Sequence, residues 1–165
     1  STQYLCAMPT NLYGPGDNYD LESSHVLPAL IRKCHEAKLE KREIYTAWGT
    51  GAPLREFLHC DDLASACVHL MEAVTDTDAL VNNASQPPLL NIGSGQELSI
   101  RDLTLLVART VGYEGGIEWD GSKPDGTPRK LLDASKVNAF GWRAMIPLAQ
   151  GLAETYNSFL TGRFG

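Results

Sequence analysis

The chain reads as an α/β protein, on three observations. Apolar runs of strand length, Tyr4–Met8, Ile44–Trp48 and Leu89–Ile92, alternate with stretches whose apolar residues recur at helical spacing. Clusters of Gly, Pro, Asn and Asp at 11–18 and 121–128 supply turn chemistry between them. A length of 165 residues, 43% hydrophobic and 21% charged, suits one core or two small ones and excludes a disordered, fibrous or large multidomain protein.

The first strand-like run ends at Pro9, and Asn11 to Asn18 follows as a loop. Ser23 and Ser24 offer N-caps for a helix over roughly 25–38, in which Val26, Leu27, Leu30, Ile31 and Cys34 form one stripe. Pro28 fits there because first-turn amides have no helical partner. Ile44–Trp48 is a strand stopped by Gly49-Thr50-Gly51. Glu56 to His59 leads into Asp61-Asp62, the expected cap of a helix over about 62–75, where Leu63, Ala66, Cys67, Leu70, Met71 and Val74 match the helical template. Residues 76–88 read as a polar surface loop, and Leu89–Ile92 as a short strand ended by Gly93-Ser94-Gly95. Ser99 with Asp102 resembles a capping box for a helix to Val111, stopped by Gly112. Ile117–Trp119 is strand-like, 134–140 a short helix, and 147–160 an amphipathic helix with Leu148, Leu152, Tyr156 and Phe159 on one side. The strands Tyr4–Met8, Phe57–His59 and Leu89–Ile92 are too short and scattered for an autonomous parallel sheet, so flanking strands are expected from elsewhere.

Fourteen Lys and Arg against twenty Asp and Glu leave a net charge of −6, which argues against nucleic acid as the main partner. No run of about 18 apolar residues occurs, and residues 1–8 lack a basic leader; neither a membrane span nor a signal peptide is expected, and the protein is read as soluble and cytoplasmic. Cys6, Cys34, Cys60 and Cys67 form no Cys-x-x-Cys and sit in apolar contexts, so they are read as reduced core thiols. Cys34-His35 and His59-Cys60 have no further partner at ligand spacing, and no metal is expected. Neither Gly49-Thr50-Gly51 nor Gly93-Ser94-Gly95 continues to the third glycine of a dinucleotide fingerprint, and the stretch Gly116 to Lys123 misses a P-loop because Ser122 stands where Lys is needed. Gly-x-Ser-x-Gly and His-Glu-x-x-His are absent.

Two sets of segments combine polar groups and turns beyond what a plain loop requires: Pro9-Thr10-Asn11-Leu12-Tyr13-Gly14-Pro15 with Ser23-Ser24-His25, and Trp48 to Phe57 with Lys123 to Lys130. Pro-Thr-Asn-Leu-Tyr-Gly-Pro, Ser-His-Val-Leu-Pro-Ala-Leu-Ile-Arg-Lys, Trp-Gly-Thr-Gly-Ala-Pro-Leu-Arg-Glu-Phe-Leu-His and Ser-Lys-Pro-Asp-Gly-Thr-Pro-Arg-Lys-Leu-Leu-Asp occur in this order. With them the chain resembles the C-terminal portion of the GDP-L-fucose synthases, extended short-chain dehydrogenase/reductases. The first motif alone indicates only an extended reductase; the other three point to the fucose synthases. The resemblance covers essentially all 165 residues.

That resemblance implies the substrate-binding lobe of an NADPH-dependent 3,5-epimerase/4-reductase acting on GDP-4-keto-6-deoxy-D-mannose, with the main Rossmann half upstream. Residues 1–10, 56–75 and 89–93 would join the nucleotide-binding sheet, and a homodimer is expected of the complete enzyme. The family's Tyr-x-x-x-Lys is absent, since none of Tyr4, Tyr13, Tyr19, Tyr45, Tyr113 and Tyr156 has Lys four residues on. This chain alone is therefore expected to be inactive. By the same resemblance His25 is the catalytic acid, working with a Cys from the other half, and Pro9, Thr10, Asn11, Leu12 and His25 approach the nicotinamide end of NADP(H). An imidazole with a pKa near 6.5 suits proton transfer at neutral pH.

Lys33, Arg55 and Lys130 are read as contacts to the nucleotide sugar, with Arg32 in reserve because helical geometry puts it nearer the face of His25. A diphosphate needs cationic donors, and arginine presents a planar fork. Trp48 would contact substrate with its ring, and Asp125 would accept from guanine or ribose. Each has a plainer alternative: a capping or solvated His25, solvated charges, a packed Trp48, a turn Asp125. His35, His59 and His69 have no assigned role, and His69 reads as structural. Two rival functions stay open, a related nucleotide-sugar epimerase or dehydratase and a non-catalytic nucleotide-sugar-binding module.

Overall fold

A computed structural model describes residues 4–74 and 88–162. The loop read at 76–88 therefore lies, apart from Pro88, outside the described residues. β1 (Cys6–Pro9) and β2 (Asn11–Tyr13) precede α1 (Val26–Leu39), β3 (Ile44–Trp48), β4 (Leu54–His59) and α2 (Cys60–Ala73). Then come β5 (Leu89–Ile92), β6 (Glu97–Ser99), α3 (Ile100–Val111), β7 (Gly116–Asp120), β8 (Arg129–Lys130), α4 (Ser135–Ala139) and α5 (Leu148–Leu160).

The α/β expectation holds, with three small sheets among the described residues. β1 and β5 pair in parallel from Cys6 opposite Leu89 to Pro9 opposite Ile92. β3 and β7 pair in parallel from Ile44 opposite Gly116 to Trp48 opposite Asp120. β4 is the common partner of the rest, parallel to β2 and β8 and antiparallel to β6. β2 lies where a loop is expected, β6 ends at the expected helix cap Ser99 and β8 follows the turn-rich 121–128; each is two or three residues long and takes strand geometry because β4 offers it backbone partners.

Side chains on a strand alternate between faces, and β4 uses both. Phe57 joins Tyr13, Leu27, Ile31, Leu103, Val107 and Leu152 in one core, built mainly by α1, α3 and α5. Leu58, one residue on, joins Leu70, Leu90, Ile92, Val137 and Trp142 in the other. Each fully buried Leu or Ile contributes roughly 1.5–3 kcal/mol relative to exposure.

The start of α3 is as expected: Ser99 accepts from the Asp102 amide at 3.0 Å, and Gly112 ends the helix at φ 75°. α2 starts differently. His59, not Asp61 or Asp62, is its N-cap, accepting the Asp61 amide through Nδ1 at 3.2 Å. The two aspartates lie in the first turn, where their charge suits the positive end of the helix. Only part of its apolar stripe is covered, since Ala66 and Leu70 are buried while Cys67 is exposed and Met71 is 84% exposed.

The reading of all four cysteines as core thiols is corrected in the same way. All are free, but only Cys34 is buried, Cys60 is half-buried, and Cys6 and Cys67 are exposed. Cys6 sits on a two-stranded sheet with an uncovered face, and Cys67 on the solvent side of α2. No helix among the described residues is long and apolar enough to cross a membrane.

Candidate functional site

A cleft of about 390 Å³ opens beyond the C-terminal end of β1, lined by Pro9, Thr10, Asn11, Leu12, His25 and Lys130 among others. Crevices outside the carboxyl ends of parallel strands are where α/β sheets receive ligands. Its floor is set by hydrogen bonds to main chain. Thr10 N donates to the Ile92 carbonyl at 3.0 Å, while Thr10 Oγ1 and Asn11 Nδ2 donate to the Glu56 carbonyl at 3.3 and 2.7 Å. With their side chains so engaged, Thr10 and Asn11 hold the 9–12 segment in place. His25 is the N-cap residue of α1 in extended geometry, yet its side chain makes no capping bond and stays exposed at the cleft mouth. It also borders a smaller pocket of about 200 Å³ with Asp17 and Cys60. Burial raises the Asp17 carboxyl above its ordinary range, offset in part by the Asn18 amide and by the charge of His25.

A second cluster stands at the ends of β3 and β7. The Trp48 ring is 70% exposed, with Lys33 Nζ at 5.2 Å and Lys123 Nζ at 5.7 Å from its centroid. Arg32, the reserve for Lys33, is committed elsewhere, donating to Glu36 Oε1 at 2.8 Å and to the Tyr19 carbonyl at 3.0 Å. Asp125 ties the 121–130 segment to the turn after β3: Oδ1 accepts from Thr50 N at 2.9 Å and Oδ2 from Thr50 Oγ1 at 2.6 Å. These bonds, the hydroxyl's first, hold its carboxyl below the ordinary range. Gly49 lies at φ 78°, and a Cβ there would collide with the Asp125 carboxylate, so glycine is required twice over. Arg55 and Lys130 are register partners on β4 and β8, and the Arg55 guanidinium lies beside Gly126. The structure thus brings Pro9 to Leu12, His25 and Lys130 into one cleft. It groups Lys33 with Trp48, places Arg55 beside Lys130, and engages both Asp125 oxygens with Thr50.

Sequence reasoning missed Glu56. Its side chain is fully buried, and its carboxylate accepts from Gly95 N at 2.7 Å, Leu132 N at 3.1 Å and Ser94 Oγ at 3.4 Å. It fixes the turn after β5 and the strand end that carries Lys130. The available signal was a lone carboxylate directly before Phe57-Leu58, facing a Gly-Ser-Gly turn. Asp62, read only as a cap, is buried and accepts the Met145 and Ile146 amides at 3.0 Å each.

The other histidines are structural in their contacts. His69 Nε2 bonds the Phe140 carbonyl at 2.7 Å, and His35 Nδ1 lies 2.9 Å from the Tyr156 hydroxyl. His59 is fully buried edge-on to Tyr13; because Nδ1 accepts an amide, Nε2 carries the proton, 3.9 Å from Glu154 Oε2. Among the described residues, His59, Cys60 and Asp61 bring ligand atoms within 4.8 Å of one another. Ligation through Nδ1 would cost α2 its cap.

A parallel strand pair with a cleft beyond its carboxyl ends, edged by the strand-end Pro-Thr-Asn segment, defines an α/β ligand-binding fold. The profile of the NAD dependent epimerase/dehydratase family matches residues 1–93, and the chain belongs to that family. It is 52% identical over 156 residues to GDP-L-fucose synthase 1 of Arabidopsis thaliana, covering 94% of this chain and 45% of that protein. To GDP-L-fucose synthase of Escherichia coli K12 it is 47% identical over 157 residues, covering 95% of this chain and 49% of that one. Among solved structures it superposes on a GDP-L-fucose synthetase from Naegleria fowleri bound to NADP with a TM-score of 0.81 at 28% identity, covering 96% of this chain and 47% of that one. The chain spans about half the length of the curated relatives it matches, and the match falls on their C-terminal portion.

Proposed function

We propose that this chain is the GDP-sugar-binding part of a cytoplasmic, NADPH-dependent GDP-4-keto-6-deoxy-D-mannose 3,5-epimerase/4-reductase that forms GDP-L-fucose and works as a homodimer. The observation that carries the reading is the shared cleft, lined together by an exposed imidazole, a lysine and the Pro9–Leu12 segment. A ketone at C4 acidifies the hydrogens at C3 and C5, so inversion there needs a base on one face and a proton donor on the other. His25 is the donor in this proposal, free for the task because it does not cap its own helix. The base is a cysteine contributed by the other half of the enzyme.

Pro9 to Leu12 would hold the nicotinamide end of NADP(H), and the residues fit it: Pro9 and Leu12 give the cleft apolar wall, while Thr10 and Asn11 are turned onto Glu56. NADPH, when bound, supplies the hydride that reduces C4. Lys33, Arg55 and Lys130 take the diphosphate, and Trp48 offers its ring to the substrate. Asp125 keeps the second oxygen lone pairs for guanine or ribose. Residues 1–10, 56–75 and 89–93 belong, in this proposal, to the nucleotide-binding sheet. The parallel β1–β5 pair supports that assignment, as do the exposed Tyr4, Met8, Val68 and Met71, apolar surface that a further layer would cover.

The test is to incubate the protein at its full natural length with NADPH and either GDP-4-keto-6-deoxy-D-mannose or a UDP-hexose. Loss of NADPH absorbance with GDP-L-fucose as product is expected for the first alone. Interconversion of UDP-hexoses without net NADPH consumption would instead identify a 4-epimerase.

A further inference from the structure

We infer that Lys123 is a further diphosphate-binding residue, held in position by the Thr50–Asp125 pair; the inference rests on the GDP-sugar reading above. Lys123 follows β7 on a closed turn. Asp120 Oδ1 accepts from Ser122 N at 3.0 Å and from Ser122 Oγ at 2.5 Å, and the Lys123 amide donates to the Asp120 carbonyl at 3.2 Å. The same carbonyl accepts the Gly49 amide at 3.0 Å, so the turn is joined to the end of β3. Two residues beyond Lys123, Asp125 is bonded twice to Thr50. The backbone of Lys123 is thus fixed on both sides, on an otherwise exposed segment.

Its ammonium is placed accordingly. Lys33 from α1 and Lys123 from this turn both lie within 6 Å of one indole ring, at 5.2 and 5.7 Å. A ring attracts cations through its quadrupole, so both ammonium groups are held at the one indole, where a polyanion beside the ring meets two positive charges. Among the described residues neither ammonium has a carboxylate within 4.0 Å. A diphosphate supplies several anionic oxygens at once, while Trp48, 70% exposed, leaves its ring edge available beside them. Lys123 therefore binds the substrate, and Thr50 with Asp125 act through it as positioning residues.

The experiment compares the affinities of GDP and guanosine by calorimetry, using the full-length protein and its Lys123→Met, Lys123→Arg, Lys33→Met and Thr50→Val variants. Methionine keeps an unbranched stem over the indole and removes only the charge. Lys123→Met should weaken GDP about tenfold and guanosine less than about twofold, since the guanosine arm lacks the charge-assisted bond. Lys123→Arg should restore GDP binding. Thr50→Val should weaken GDP roughly threefold more than guanosine, because a freed turn presents Lys123 less often, whereas loosening of Asp125 touches both ligands alike. Lys136→Met, an exposed lysine on α4, serves as the charge control and should leave both affinities unchanged. GDP affinity lost in Lys33→Met but kept in Lys123→Met overturns this inference and leaves the GDP-sugar reading standing. Equal losses for GDP and guanosine make Lys123 structural and overturn it too, whereas no GDP binding by the unsubstituted protein overturns both.

Discussion

Replacing Glu56 by Gln tests whether one buried carboxylate holds the cleft together. Glutamine keeps the shape but turns one of the two acceptor oxygens into an NH₂ donor. Whichever way the amide is placed, it meets a backbone N–H, either of Gly95 at 2.7 Å or of Leu132 at 3.1 Å. Losing a bond to a charged acceptor costs about 1.5–3 kcal/mol, and opposing donors add about 1–3 kcal/mol where water cannot reach. Gly95 is exposed and Leu132 half-buried, so water recovers part of the second cost, which leaves about 2–4 kcal/mol. Urea unfolding should show this as a lower midpoint at unchanged slope. Hydrogen exchange should quicken at Gly95 and Leu132 but not at Thr10, whose amide and hydroxyl bond main-chain carbonyls. Gly93→Ala should destabilise through the same carboxylate, because its Cβ would stand 2.5 Å from Glu56 Oε1. The two substitutions should therefore be less than additive. A loss under about 0.5 kcal/mol for Glu56→Gln, within the range of ordinary surface changes, would refute the role given to Glu56.

Three further outcomes are expected. In the full-length enzyme His25→Gln should slow solvent-deuterium incorporation at C3 and C5 by about 10²–10⁴-fold, the usual worth of general acid–base catalysis, with little change in GDP affinity; an unchanged exchange rate would make His25 a structural residue. Asp125 is fully exposed with its carboxyl held below the ordinary 3.8 by the Thr50 hydroxyl and amide. A depressed folded-state pKa stabilises above the unfolded value and is lost as pH falls through the folded one, so the Thr50–Asp125 pair is complete above 3.8 and opens in more acidic solution. The Thr50 amide resonance should titrate below 3.8, and a midpoint at or above it counts against the pairing. Towards a thiol reagent, Cys6 and Cys67 should react fast and Cys60 slowly, while Cys34, buried and with its thiol pushed up to about 12, should react only on unfolding; rapid reaction of Cys34 in the native protein would contradict this packing.

What the sequence disclosed and what it hid divide along physical lines. Helices α1, α3 and α5 were legible because each carries a continuous apolar stripe, but only α3 has the expected caps, Ser99 and Gly112; α1 starts at His25 rather than at Ser23 or Ser24. Strands β2, β6 and β8 were not, since two or three residues hold no periodicity and their geometry comes from β4. The cap of α2 was misplaced because an imidazole is an uncommon cap and two aspartates follow it at once. At the site, His25, Lys33 and Trp48 are named through the family resemblance, since helical geometry alone favours Arg32 over Lys33. The convergence of Lys123 on Trp48, 75 residues earlier in the chain, and of Glu56 on Gly95 and Leu132 depends on long-range packing that no local pattern encodes.

β4 concentrates this packing in six residues. Leu54 and Arg55 pair with Arg129 and Lys130 and so hold one cleft lysine. Glu56 fixes Thr10 and Asn11 through its carbonyl, and through its carboxylate the turn after β5 and Leu132. Phe57 and Leu58 enter different cores, and His59 caps α2. Because one backbone segment supports both the Pro9–Leu12 wall and the Lys130 wall, a backbone shift in β4 moves the two sides of the cleft together. Substitutions within β4 that disturb its register should accordingly weaken GDP and NADP(H) binding in parallel. Changes at Lys33 or Lys123, which reach the site from α1 and from the turn after β7, should spare the cofactor. The ratio of the two affinities, followed variant by variant, separates residues that hold the cleft open from residues that touch what enters it.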